Sequence, residues 1–208
     1  MGIKRDLNIY RRYFDWNKVG GIFIHVPKVA GTSVSHALYG KSLGHYSAVQ
    51  IEKKFPKLYK RSYVFALYRD PLERLYSAYN FAKIGRTESM GVENPEQYQI
   101  PEFDTFESFV LQWIREKSVN SLDNIFKEQA FYVCDTGLDL IVDRLFSLER
   151  IDSMAIEIER RLGKKMKIHK KNISQRSIYS KNKVYGREME LVALEKYKND
   201  VLIKDRFL

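Results

Sequence analysis

The stretch from Lys28 to Ser33 combines residue types that hold an anionic group. It follows the apolar run 22–26 and reads Pro27-Lys28-Val29-Ala30-Gly31-Thr32-Ser33. Gly31 allows close backbone approach, Thr32 and Ser33 carry hydroxyl donors, and Lys28 carries a mobile positive charge. Because apolar residues at helical spacing follow, Thr32 and Ser33 should open a helix. The N–H groups at such a helix start bind phosphate or sulfate, so we expect an anion here.

The same stretch has a plainer interpretation. The usual nucleotide-binding loop is G-x-x-x-x-G-K-[ST], whereas here the first glycine is missing and Lys28 precedes Gly31. A strand–turn–helix connection with one exposed lysine therefore stays open as an alternative.

A second basic and hydroxyl-bearing segment starts at Arg69 and extends to Ser77. Arg69 ends an apolar run, and Ser77 lies about two turns into the helix that follows, with Arg74 one turn before it. A basic side chain and a hydroxyl there could hold a second phosphate. The alternative is that Arg69 pairs with Asp70 or Glu73 while Ser77 faces water.

His45 is a candidate base, because a neutral imidazole accepts a proton near neutral pH. It lies in the polar loop Gly44-His45-Tyr46-Ser47, before the chain returns to the next strand. A loop histidine without a role is the plainer interpretation. His25 and His36 are interpreted as satisfied structural residues.

The elements that position these residues alternate as in α/β proteins. Strands are predicted at 21–26, 63–68 and 141–148. Helices are predicted at 32–39, from Pro71, around 106–114, over Met154, Ile158 and Leu162 up to Gly163, and at 187–199. Residues 1–20 are interpreted as an irregular basic and aromatic arm, and 84–104 as a substrate-side insertion. The chain is expected to form a single domain over 1–208.

The overall composition indicates acidic partners. The 208 residues carry a net charge of +10, with 44% hydrophobic and 30% charged residues. Such an excess favours acidic ligands, nucleic acid or an anionic membrane surface. The basic run 164–171 is most simply a solvated face. Cys134 is the only cysteine, and no segment is apolar enough to span a membrane, so a cytoplasmic protein is expected.

Taken together, the two segments resemble those of a known family. His25-Val-Pro-Lys-Val-Ala-Gly-Thr-Ser33 is similar to the 5′-phosphosulfate loop of sulfotransferases, and 68–79 is similar to their 3′-phosphate motif, R-[DN]-P-x-x-R-x-x-S-x-Y. The chain resembles sulfotransferase family 2, the Golgi carbohydrate sulfotransferases and their bacterial relatives. The resemblance is strongest over 21–82, weaker at Leu145–Arg150 and around Asn172-Ile-Ser174, and absent over 84–120.

The resemblance implies a fold, a donor and a set of roles. The fold would be a P-loop-like, three-layer α/β/α arrangement around a mainly parallel sheet. The donor would be 3′-phosphoadenosine 5′-phosphosulfate (PAPS), leaving 3′-phosphoadenosine 5′-phosphate (PAP), without a metal. Lys28 and the loop Pro27 to Ser33 would bind the 5′-phosphosulfate, Arg69 and Ser77 the 3′-phosphate, and Asn172 and Ser174 would add contacts.

The same resemblance strengthens the case for His45 as the base. Its segment is similar to the G-H-x-S segment of the uronyl 2-O-sulfotransferase branch, whose histidine is taken as the base. Glu149 is the alternative base. The acceptor would be a carbohydrate or glycolipid, with a hydroxyl or amine as the reacting group.

Two other functions stay open. A P-loop-like small-molecule kinase would share the loop, but the missing Gly-Lys-Ser/Thr order and the lack of an evident Mg²⁺-binding acid argue against it. A basic nucleic-acid-binding module would share the charge, but it gives no reason for the paired motifs. Peripheral contact with a membrane surface is a further expectation, nucleic acid is not expected as a partner, and the sequence gives no oligomeric state.

Overall fold

The structure is a computed structural model that describes residues 2–85, 91–92, 94–168 and 184–208, with side chains from residue 8 onward. The chain divides into two compact units. The sheet unit comprises residues 1–68, 132–169 and 208, and the helical unit comprises 69–131 and 170–207. Each unit is therefore built from stretches that are separated in sequence.

Three strands form the sheet: β1 (Gly21–Ile24), β2 (Tyr63–Tyr68) and β3 (Arg144–Ser147). The α-helices are α1 (Gly2–Val19), α2 (Gly31–Tyr39), α3 (Ala48–Lys54), α4 (Pro56–Arg61), α5 (Pro71–Ile84), α6 (Phe106–Ser108), α7 (Ala130–Val133), α8 (Ile151–Leu162), α9 (Arg187–Lys196) and α10 (Lys198–Phe207). Single 3₁₀ turns lie at Pro95–Tyr98, Pro101–Phe103, Val119–Ser121 and Leu148–Arg150, and a π-helix lies at Phe109–Ile114.

The sheet is parallel throughout, with strand order β1-β2-β3. Ile22 lies opposite Val64, and Leu67 lies opposite Phe146. Parallel strands need crossover connections, which are mostly helical, and α2, α3 and α4 supply the one between β1 and β2. The predicted α/β class with a parallel sheet is confirmed. Because all strands run the same way, the loops after β1, β2 and β3 leave the same edge of the sheet.

The N-terminal arm is a helix rather than an irregular segment. Ile9 and Trp16 are buried and lie seven residues apart, with the half-buried Tyr13 between them. This spacing is one face of a helix. The rings of Tyr13 and Trp16 pack against Phe55, at 5.3 and 6.4 Å between centroids. The prediction that residues 1–20 form an irregular arm was wrong. The basic residues between the apolar ones made the helical spacing of this stripe hard to recognise.

The predicted strands were longer than the observed ones at two places. β1 ends at Ile24, so that His25 and Val26 lie beyond it although both are buried. β3 is shorter than the predicted 141–148. By contrast, β2 has the predicted bounds, and α8 ends at Gly163 in the left-handed conformation, as predicted.

An aromatic core fills the helical unit. The predicted helix around 106–114 is one α-helical turn continued by a π-helix, whose widened turns bring Phe109 and Trp113 against Phe126. Tyr98 and Phe103 from the 3₁₀ turns join this cluster. In its described part, the segment 84–104 thus supplies core residues, and its location on a substrate side stays a prediction. The predicted last helix is two helices, α9 and α10, which meet at Tyr197. Within the described residues, no helix is both long and apolar enough to cross a bilayer.

Candidate active site

The loop between β1 and α2 holds two residues in an unfavourable backbone conformation. Lys28 has φ 69° and Ala30 has φ 62°, in the left-handed region that costs a side-chain-bearing residue about 1–2 kcal/mol. Ala30 is also the N-cap of α2, and it makes no side-chain capping bond to that end. A helix start with a basic residue beside it and no side-chain cap suits an anion. Strain of this kind clusters at ligand sites.

The loop divides its residues between the core and the surface. Pro27 and Val29 are buried, whereas Lys28, Thr32 and Ser33 are half-buried. Val29 therefore anchors the loop, and Pro27 has no N–H to offer. Lys28 lies three residues before α2, whose first turn carries Thr32 and Ser33. Their role in holding an anion stays a prediction.

His25 packs against the start of α2. A Cβ atom added to Gly31 would lie 2.1 Å from His25 Cδ2, closer than any real contact. The ring is buried, and within the described part of the chain its Nδ1 has no hydrogen-bond partner. Burial, with a smaller contribution from His45, lowers the pKa of His25 well below its usual value, so the ring is neutral at pH 7. The expectation of a satisfied strand histidine was wrong: His25 follows the strand, and its Nδ1 is unsatisfied.

His45 is held in one tautomer by the backbone of His25. Its Nδ1 lies 2.7 Å from the His25 carbonyl oxygen, and the two rings are 4.2 Å apart. Because a carbonyl oxygen only accepts, Nδ1 carries the proton, and the lone pair of the neutral ring is on Nε2. Ser47 and Gln50 close a capping box at the start of α3 and fix the chain just after His45. The half-buried ring thus has the form that a general base needs.

Glu149 lies at the same edge of the sheet but farther along it. It follows β3, and its carboxylate accepts a hydrogen bond from the Ser147 hydroxyl. β3 is two strands from β1, which corresponds to about 9–10 Å between their axes. His45 contacts the residue that opens the loop, so its position favours it over Glu149.

The second segment lies in the helical unit. Arg69 Nε is 3.2 Å from Glu73 Oε2, and Arg69, Glu73 and Ser77 follow one another at intervals of four residues, all half-buried. Glu73 and Ser77 lie one turn apart on α5, and Arg69, just before the helix, reaches Glu73. Asp70 caps α5 by accepting from Leu72 N and Glu73 N, as predicted. Arg69 is thus paired with Glu73.

Arg74 is a structural residue and does not form part of an anion site. It is 1% exposed and donates to the carbonyl oxygens of Ile125 and Lys127. Its Nη2 lies 3.6 Å from Asp200 Oδ2. Burial raises the pKa of Asp200 to about 6, and Arg74 opposes the rise. The charge of Arg74 is neutralised by Asp200 inside the helical unit. Arg74 is therefore not available to bind a phosphate.

Comparison with protein-family models shows which class of protein the chain belongs to. A model of the sulfotransferase family matches residues 17–205. The chain belongs to the sulfotransferase family. It is therefore a transferase of the sulfotransferase class, and the predicted resemblance to family 2 is confirmed. Neither a curated protein nor a solved structure matches it significantly.

Sequence reasoning missed Gln129. This buried side chain accepts from Arg69 N at 3.0 Å and donates to Arg69 O at 2.8 Å, so it holds the backbone of Arg69 on both sides. The two residues are 60 positions apart in the sequence, and no sequence motif around Gln129 indicates the contact. Asn172 and Ser174, predicted to contact the donor, lie outside the described residues.

Proposed function

We propose that this sulfotransferase moves the sulfuryl group of PAPS to a hydroxyl or amine of a carbohydrate or glycolipid acceptor. The observation that carries the proposal is the start of α2, whose N-cap residue Ala30 makes no side-chain capping bond and which follows a strained loop with Lys28 beside it. In a member of this family, such an anion site is suited to the phosphosulfate end of the donor.

The two segments would bind the two ends of the donor. Lys28 and the backbone from Ala30 to Ser33 would hold the 5′-phosphosulfate, and Arg69 and Ser77 the 3′-phosphate. Asn172 and Ser174 are proposed as further contacts. Arg69 shares its charge with Glu73, so binding of the 3′-phosphate requires Arg69 to turn from the carboxylate toward it or to serve both.

Catalysis would combine positioning, charge stabilisation and proton removal. PAPS supplies an activated sulfuryl group whose transfer leaves PAP. By analogy with phosphoryl transfer, the transition state is loose, so placing the reactants in line contributes most. Lys28 and the α2 N–H groups stabilise the negative charge that grows on the leaving phosphate. His45 Nε2 accepts the acceptor's proton while Nδ1 keeps its bond to the His25 carbonyl. No metal is needed in this scheme.

Donor binding and Lys28 are tested together. We expect PAP to bind the wild-type chain in calorimetry, and Lys28→Ala to lower transfer of labelled sulfate from PAPS by about a hundredfold or more. Lys117→Ala removes the charge of an exposed lysine in the helical unit and is the matched control. Near-normal turnover of Lys28→Ala would reject the assignment. Binding of ATP–Mg²⁺ without PAP would favour a kinase, and salt-sensitive binding of DNA or RNA alone would favour a nucleic-acid module.

The base is tested by comparing His45→Ala with Glu149→Gln. Loss of a general base costs about 10²–10⁴-fold in rate, and we expect this loss in kcat for His45→Ala with PAP affinity unchanged. Glu149→Gln should keep at least half of the activity. The reverse pattern would assign the base to Glu149.

The acceptor and the compartment are the least constrained parts of the proposal. The net charge of +10 favours an anionic acceptor, and a screen of neutral and acidic glycans with PAPS would identify it. We propose the cytoplasm as the compartment, because a single cysteine, Cys134, suits a reducing environment.

A further inference from the structure

The outer face of α1 exposes two aromatic rings. Tyr10 is 50% and Phe14 73% exposed, one turn apart, whereas Ile9 and Trp16 are buried. The Tyr10 ring also has one edge contact, with Phe55 at 5.5 Å between centroids. Arg11 and Lys18 are exposed on the same helix. A soluble helix gains nothing by presenting such rings to water, so this face is a candidate contact surface.

Two neighbouring helices add a dense group of cations to that face. Arg61 donates to the Tyr13 hydroxyl and to Asn17 Oδ1, and Lys54 Nζ lies 4.7 Å from the centre of the Tyr10 ring. These contacts place α3 and α4 beside α1. The exposed cations of the three helices are Arg11, Lys18, Lys53, Lys54, Lys57, Lys60 and Arg61. Together with Tyr10 and Phe14 we call them the basic–aromatic surface.

Acidic groups do little to neutralise this surface. Among the described side chains of α1, α3 and α4, only Glu52 is an exposed carboxylate, and the half-buried Asp15 is paired with Lys41 at 3.0 Å. Among the described side chains of these three helices, seven exposed cations therefore face a single exposed carboxylate.

We propose that the basic–aromatic surface binds membranes that contain anionic lipids. Lysine and arginine side chains gain strongly from the negative potential of such a membrane, and their aliphatic stems let the charge stay in water. The Phe14 ring carries no hydrogen-bonding group, so it gains free energy only where an apolar phase is at hand, as at the boundary between headgroups and acyl chains. An acidic polysaccharide matches the charge but offers no such phase. The proposal does not depend on the sulfuryl-transfer chemistry.

The test is sedimentation of the full chain with vesicles of phosphatidylcholine, alone or mixed with phosphatidylserine. We expect binding to the mixed vesicles only, weakening as salt screens the charges. One basic side chain near an anionic surface strengthens binding about fivefold, so Lys53→Glu, Lys57→Glu and Lys60→Glu together should weaken it about a hundredfold or more. The control, Lys117→Glu with Arg187→Glu and Lys198→Glu, changes the net charge equally at exposed positions of the helical unit and should weaken binding far less.

A second pair of variants separates the apolar contribution. Phe14→Ala should weaken vesicle binding about tenfold, whereas Ile156→Ala, which truncates a 72% exposed side chain on α8, should leave it unchanged. If circular dichroism shows that the triple-glutamate variant of the surface does not fold, two other measurements test the proposal. They are the salt dependence of vesicle binding by the wild type and the comparison of Phe14→Ala with Ile156→Ala.

Several outcomes would overturn the proposal. Equal binding to neutral and mixed vesicles would do so, as would equal losses in both triple-glutamate variants. Binding of heparin but not of vesicles would assign the surface to an acidic polysaccharide. A dimer in light scattering that Phe14→Ala dissociates would assign it to a second copy of the chain.

Discussion

At the scale of single residues, His25 organises the proposed active site without contacting an acceptor. Its ring fills the space where a side chain at position 31 would be, and its carbonyl oxygen fixes the tautomer of His45. The glycine of the loop is therefore required by a neighbouring ring, whether or not a ligand binds there. Both contacts depend on the same backbone turn after β1.

The contact between Gly31 and His25 can be tested by a double-mutant cycle. Gly31→Ala should lower PAP affinity and thermal stability, because its Cβ must displace the buried ring. His25→Ala removes the ring but keeps the carbonyl that holds His45, so Gly31→Ala should cost far less in that background. Melting curves and calorimetry measure both effects.

Gly137→Ala is the matched control, because its nearest neighbour would be 3.4 Å away, an ordinary contact. If Gly31→Ala is equally harmful with and without His25, the ring is not what excludes a side chain from position 31.

At the scale of elements, α2 and α5 meet a predicted anion in different ways. The N-cap of α2, Ala30, makes no side-chain capping bond, so the N–H groups of the first turn do not compete with a capping side chain for an anion. Asp70 occupies the start of α5 and accepts from its first turn, so an anion at this segment would depend on the side chains of Arg69 and Ser77. The backbone suits the reacting end of the donor, since it stabilises charge without having to reorganise.

The elements that sequence reasoning found are those with local signals. The bounds of β2, the Asp70–Pro71 start of α5 and the Gly163 end of α8 each depend on residues adjacent in the chain. α1 was missed because its buried stripe needs Phe55, some forty residues away, as a partner. Gln129 was missed for the same reason, since its role depends on the distant Arg69. The loop and His45 were predicted as site residues because the family motif is local, whereas the contact between His45 and His25 was not predicted.

At the scale of the whole molecule, the positive charge is unevenly used. Arg74 pairs with Asp200 inside the helical unit, and Arg69 pairs with Glu73. The basic–aromatic surface, by contrast, carries seven exposed cations on three helices. Much of the net charge of +10 therefore lies outside the proposed donor site. This excess fits a second anionic partner beside the proposed donor.

The division into two units raises the question of whether they unfold separately, and the two tryptophans can answer it. Trp16 is buried in the sheet unit, and Trp113 packs in the aromatic core of the helical unit. Trp113→Phe leaves only Trp16 to report on the first unit, and Trp16→Phe leaves only Trp113 to report on the second.

Because each unit needs stretches of chain that the other interrupts, we expect one cooperative transition. In urea, the fluorescence of each variant should then follow the same curve as its circular dichroism, which reports on both units. A fluorescence midpoint clearly separated from that of circular dichroism in either variant would contradict the prediction of a single domain.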